Sequence, residues 1–129
     1  MNKEETGTTL RKYDLEERTA KFGEHVVKFA KKILVNKVTE RLIPQFVAAG
    51  TSIGANYCEA DDAESSKDFV HKIGICKKET REVKHFLRML AVSFGDEDLK
   101  NEARVLWDEA RQLHLIFNAI YHKVKNKNS

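Results

Sequence analysis

The sequence predicts an all-α protein, an antiparallel up-down-up-down four-helix bundle, and three observations carry that prediction. Apolar residues recur at alternating spacings of four and three along four long segments, the a/d signature of helices crossing at a shallow left-handed angle. Proline occurs once and glycine six times in 129 residues, so long helices run uninterrupted. Cap residues separate the segments, and the last connection is short enough to make its two helices antiparallel neighbours. The helices are expected at about 14–34, 39–62, 66–94 and 97–122. They form one domain over 13–122, between a flexible polar tail (1–12) and a flexible basic one (123–129).

In the first helix the core register is Leu15, Thr19, Phe22, Val26, Phe29 and Ile33, and Asp14 with Glu17 reads as a capping box. The second carries Leu42, Phe46, Ala49, Ile53, Asn56 and Ala60, with a parallel stripe of Ile43, Val47, Gly50, Gly54 and Tyr57. Apolar or small residues therefore cover a wide arc. This helix is either the most enclosed of the four or faces a neighbouring subunit as well as its own core. It is expected to start near Thr39, with Pro44 just past the first turn and one hydrogen bond lost there.

The segment Gly50–Ala60 fills helical core positions with small and polar side chains. Gly50 and Gly54 permit close helix approach, as small residues do between packed helices. Asn56 at a core position can specify register or partner, while Thr51 and Ser52 can return hydrogen bonds to the preceding turn. Ile53 and Tyr57 supply the apolar contacts, and Glu59 is expected to reach Arg18 or another helix 1 group across the bundle. Together Gly50, Ser52, Ile53, Gly54, Asn56, Tyr57 and Glu59 read as an assembly and packing motif.

Helix 3 has Phe69, Ile73, Cys76, Thr80, Val83, Leu87, Leu90 and Phe94 in its core register, opened by a Ser65/Asp68 capping box. Gly95 reads as a C′ glycine, followed at once by Asp96 as the next N-cap. Helix 4 then runs through Leu99, Ala103, Leu106, Ala110, Leu113, Phe117, Ile120 and Val124.

Composition narrows the function classes. The net charge of +3 is a mild bias that does not by itself indicate nucleic acid. The polar N-terminus lacks an apolar leader, and no run approaches a membrane span, so a cytoplasmic protein with no membrane partner is expected. Cys58 and Cys76 fall on apolar helical faces as reduced thiols.

Catalytic constellations fail on spacing. Glu82-Val-Lys-His85 has di-iron spacing, but Val83 is the core residue and turns the pair to the flanks, with no second inward Glu-x-x-His. His25, His71, His114 and His122 show no complementary ligand spacing. Ser52 lacks the setting of a nucleophile elbow, and neither cysteine has a local histidine base. Arg81 and His85 stand too close together for a helical-bundle ribonuclease pair. No catalytic residue, metal or cofactor is expected.

Charge placement says more than total charge. Lys77, Arg81, Lys84 and Arg88 each lie one residue beyond a core position and form a basic stripe along helix 3, with Lys72 and Lys78 nearby. Glu59, Asp61, Asp62, Glu64 and Asp68 make an acidic end at the helix 2–3 junction. Such stripes are solvated faces or subunit contacts, or else phosphate-binding tracks. Along helix 3 itself no aromatic residue is interleaved with the stripe, which argues against base recognition.

Three stretches carry a family likeness: Tyr13-Asp-Leu-Glu-Glu-Arg-Thr19 with Phe22, Thr51-Ser-Ile-Gly-Ala-Asn56 with Glu59-Ala60, and Ser66-Lys-Asp-Phe69 with Lys72-Ile73 and Lys78-Glu79. With Phe86-Leu87 late in helix 3, they resemble the four-helix-bundle proteins encoded in intervening sequences of bacterial 23S ribosomal RNA genes. The resemblance implies a small all-α bundle, in some members a ring-like homopentamer, with no established enzymatic activity. A similar fold serves the accessory variability protein of diversity-generating retroelements, a basic ring that engages a reverse transcriptase and nucleic acid; the analogy is one of fold. The expected function is that of a non-catalytic homopentamer presenting its basic surface to RNA or an RNA-bound partner. The alternative is a structural or protein-interaction module with no nucleic-acid role.

Overall fold

The computed structural model describes residues 3–127, with side chains from residue 14 onward. Four helices follow in order: α1 (Lys3–Ala30), α2 (Leu42–Asp61), α3 (Ser66–Val92) and α4 (Glu97–Lys127). Each packs on the next, while α1 approaches α4 much less closely than the other neighbours approach one another. Direction is read from paired contacts. Thr19 meets Gly54 where Val26 meets Gly50, and Lys72 reaches Glu59 where Cys76 meets Ile53. Lys77 lies on Tyr121 where Lys84 lies on Trp107, and Arg18 meets Glu109 where His25 meets Glu102. Rising numbers on one helix match falling numbers on its neighbour throughout, so the bundle is antiparallel up-down-up-down.

The expected registers form the core. Every position from Ile73 to Phe94 in the helix 3 series is buried, the last just past the end of α3, and Phe22, Val26, Phe29, Phe46, Ile53, Leu106, Leu113 and Phe117 belong to the same core. Phe29 stands edge-on to both Phe46 and Phe94, at centroid distances of 6.0 and 5.8 Å, near one end of the bundle. The two threonines in the core register bond within their own helices: Thr19 Oγ1 donates to Leu15 O at 2.8 Å and Thr80 Oγ1 to Lys77 O at 2.7 Å. Among the described residues no buried side-chain nitrogen or oxygen lacks a partner.

The helix ends depart from expectation. α1 begins at Lys3, so Asp14 and Glu17 sit inside a helix and cap nothing. The stretch before them contains Glu4, Glu5, Leu10, Arg11 and Lys12, all strong helix formers, and no proline. α1 also stops at Ala30, four residues early. Lys32 N and Ile33 N donate to Phe29 O and Ala30 O, tightening the chain while Ile33 stays buried; the apolar spacing thus outlasts the helix. Thr39 does not start α2. It is 2% exposed, and its Oγ1 donates to Leu34 O at 2.6 Å and accepts from Asn36 N at 3.0 Å. Asn36 Oδ1 accepts from the backbone of Val38 and Thr39 in return. This turn delays α2 to Leu42 and puts Pro44 within the first helical turn, where its missing N–H would have had no helical partner.

At the other junctions Ser65 caps α3 by accepting from Asp68 N at 3.1 Å, and Asp96 Oδ1 caps α4 by accepting from Asp98 N at 2.7 Å. Gly95 is not a left-handed cap, since no described glycine has positive φ. Instead Ser93 Oγ donates to Leu90 O at 2.6 Å, and buried Phe94 anchors the exit. α4 continues to Lys127, through most of the segment expected as a basic tail. Met1, Asn2 and residues 128–129 of the expected tails lie outside the described residues.

Candidate nucleic-acid interface

The small-residue motif on α2 is spent on α1. A Cβ built on Gly50 would meet both Val26 methyls at 2.7 Å, and one on Gly54 would meet Thr19 Oγ1 at 3.3 Å. Gly23 on α1 completes the contact, where a built Cβ would lie 3.7 Å from Gly50 O; the reading of α2 alone missed it. Ile53 is fully buried, and Tyr57 packs on Phe117 with centroids 6.0 Å apart. Ser52 Oγ donates to Ala49 O and Thr51 Oγ1 to Val47 O. Asn56 is half-buried, and its Nδ2 donates to Ser52 O at 2.9 Å, within its own helix rather than across the bundle. Glu59 pairs with Lys72 of α3 at 2.6 Å, not with Arg18, because it lies on the α3 side of α2. Arg18 instead forks onto Glu109 of α4.

The thiols are chemically quiet. Burial pushes Cys76 up to about 12, and its Sγ donates weakly to Ile53 O at 3.6 Å. Cys58 is also raised, by partial desolvation and then by Glu16, Asp61 and Asp62. A thiol held protonated is a poor nucleophile. Val83 is fully buried, with Glu82 half-buried and His85 exposed beside it. Among the described residues no group of three His, Cys, Asp or Glu side chains could hold a metal, and no helix is long and apolar enough to cross a membrane.

The basic stripe divides into three parts. Lys72 is on the opposite flank, and its bond to Glu59 raises its ammonium above the ordinary value. Lys78 and Arg81 turn towards α2, lining a shallow groove with Gln45 and His85. Lys77, Lys84 and Arg88 line the seam with α4. Lys77 Nζ lies 4.7 Å from the Tyr121 ring centroid and Lys84 Nζ lies 5.6 Å from that of Trp107. Arg88 lines a groove of about 630 Å³ with Lys100, Arg104 and Trp107 over a floor of Leu87, Ala91 and Ala103. No carboxylate lines that groove.

Aromatic residues do stand beside the cations, contrary to expectation, because α4 supplies them. Lys100, Arg104, Trp107, Arg111, His114, Asn118 and Tyr121 each lie one residue beyond a core position of α4, the same offset as the stripe on α3. In an antiparallel pair such flanks face each other, and that offset was the available signal. His114 lies between the two rings in sequence. Burial first, then Lys84, Lys77 and Arg81, lower its pKa, so it is neutral at pH 7.

The opposite face, between α1 and α2, has the other sign. An open groove of about 920 Å³ runs over Ala20, Gly23, Gly54 and Ala55, rimmed by Glu16, Glu17 and Glu24 with Lys28 at one side. Positive and negative faces thus lie on opposite seams of one bundle.

No curated protein matches the chain. A crystal structure of a protein of unknown function from the S23 ribosomal protein family of Bacteroides thetaiotaomicron superposes on it with a TM-score of 0.69. The two are 24% identical, over 83% of this chain and 97% of that one, and the likeness speaks to the fold. Residues 11–114 match the sequence profile of a family described as 23S rRNA-intervening sequence protein. With the bundle and its α2 motif in place, the chain belongs to the 23S rRNA-intervening sequence protein family.

Proposed function

We propose that this chain is a non-catalytic, self-assembling bundle, a homopentamer, that presents its α3/α4 face to RNA. The observation that carries this reading is the groove where Arg88, Lys100 and Arg104 converge without a lining carboxylate. Among the described residues Arg88 and Arg104 have no carboxylate partner across this seam, while Lys100 shares its charge with Glu97 at 3.4 Å; the positive field that is left is one a polyanion relieves. Ring assembly would repeat that field around the particle.

The test is affinity for RNA as a function of salt. Binding should weaken linearly in log–log form, by about 0.7 per phosphate neutralised on a single strand. Absence of binding at low ionic strength would defeat the proposal.

A second reading has its own support: the acidic rim of the α1/α2 groove could receive the basic face of another copy, making the stripe a subunit contact. Charge reversal at Lys77, Arg81, Lys84 and Arg88 separates the two. Native mass spectrometry showing an intact oligomer that no longer binds RNA favours the first, and dissociation favours the second.

A further inference from the structure

We infer that the α3/α4 seam is a site for single-stranded RNA, with one base stacking on Trp107 and another on Tyr121; the inference rests on the RNA reading above. Trp107 is 40% exposed, a large flat surface for a ring already in contact with a cation. Its groove, about 630 Å³, falls in the size range of small-ligand sites, and its apolar floor suits the faces of a base. Arg88 and Arg104 stand at its walls where the phosphates flanking that base would pass.

Tyr121 stands further along the seam, half-buried against the core with one ring edge close to Gly74. Lys77 and Lys125 approach its ring at 4.7 and 5.3 Å. By helical rise the two aromatic positions are about 21 Å apart along α4, a separation that a few unstacked nucleotides span. Trp107 thus carries one lysine and Tyr121 two, and a lysine that swings from its ring to a phosphate frees ring surface for a base.

Strand state decides what this surface can use. A duplex hides the faces of its bases and offers phosphates alone, which would satisfy the arginines and leave both rings idle. A single strand offers phosphates and base faces together, and stacking on an aromatic ring tolerates any sequence. The surface therefore selects unpaired RNA, without sequence preference.

Trp107 is the single tryptophan of the chain, so tryptophan fluorescence, excited selectively over that of the tyrosines, reports this groove alone. The full-length protein is titrated with a ten-nucleotide oligouridylate, an RNA hairpin of equal charge and inorganic polyphosphate. The oligouridylate should quench Trp107 and bind more tightly than the hairpin, and polyphosphate should bind with little quenching. Trp107→Leu should weaken oligouridylate binding by roughly five- to a hundredfold and leave polyphosphate binding unchanged, while Trp107→Phe should retain most of the affinity. Tyr121→Leu should weaken it likewise and Tyr121→Phe should not.

Salt-dependent RNA binding that is equal for strand and hairpin, or unaffected by Trp107→Leu, would overturn the stacking site and leave the RNA reading standing. Dissociation of the oligomer by Trp107→Leu would make the ring a subunit contact and overturn it too. Failure of all RNA to bind at low ionic strength would remove both. The comparison of strand with hairpin uses unaltered protein, so it holds even where a substitution disturbs the fold.

Discussion

Arg18 of α1 holds Glu109 of α4 with two parallel bonds, Nε to Oε2 and Nη2 to Oε1, both 2.7 Å. Nη2 also donates to Gln112 Oε1 at 2.9 Å. This fork spans the one seam where neighbouring helices barely touch, and Lys32 and His25 converge on Glu102 further along it. Arg18→Lys keeps the charge and loses the fork, and is expected to cost about 1 kcal/mol in urea unfolding. The loss should shrink in 1 M salt; a cost independent of salt would show that packing, not charge, closes the seam.

Glu102 gives that seam a pH dependence. Burial pushes its carboxyl up, but the bonds from Lys32 and His25 and their charges outweigh it and hold the pKa below 4.5. A carboxylate with a depressed folded pKa stabilises above its unfolded value, and the contribution disappears as pH falls through the folded one. Glu102→Gln should therefore be less stable than the native chain at pH 7 and approach it as pH falls below 4.5 and through the depressed folded pKa. A constant gap between the two unfolding curves across that range would contradict the linkage.

The three glycines of the α1/α2 contact should rank by the space around them. Gly50→Ala drives a methyl into Val26, a stiff and fully buried side chain, and should cost about 1–3 kcal/mol despite the gain in helix propensity. Gly54→Ala is tight only against Thr19 Oγ1, with the Thr19 backbone at an ordinary 3.5 Å, and should be near neutral. Gly23→Ala finds ordinary contact distances and should stabilise by up to about 1 kcal/mol. Pairing Gly50→Ala with Val26→Ala should recover part of the loss in a double-mutant cycle.

Thr39 secures the α1–α2 turn from inside. Thr39→Val keeps the shape but leaves Leu34 O and Asn36 N without the hydroxyl, at a cost of about 1–3 kcal/mol. A denaturation midpoint unchanged by Thr39→Val would mean that water replaces the hydroxyl there.

Thiol titration should count one group in the native protein and two in denaturant. Cys58 is exposed and reacts slowly at pH 7, whereas buried Cys76, at about 12, waits for unfolding. Two fast thiols in the native protein would place Cys76 nearer solvent.

The core was legible because heptad spacing is a property of one helix at a time. Ile73, Cys76, Thr80, Val83, Leu87, Leu90 and Phe94 are all buried as their spacing requires. Helix ends were less legible, since Ile33 stays buried after α1 has ended and Asn36 and Thr39 bond a turn where a helix start was expected. The candidate site was half legible. The cations of α3 were visible, but Trp107 and Tyr121 come from another helix, and only the antiparallel pairing of equal offsets brings them alongside. Lys72 was misjudged by proximity in sequence; five residues before Lys77 is about 140° around a helix.

The thin α1/α4 seam makes the protein unequal in time. α1 leans on α2 along one side and is latched to α4 mainly by charges, so its release costs fewer buried contacts than that of α2 or α3. Its amides should exchange with deuterium as a group before those of α3, at a rate that ionic strength sets, while the other three helices remain closed.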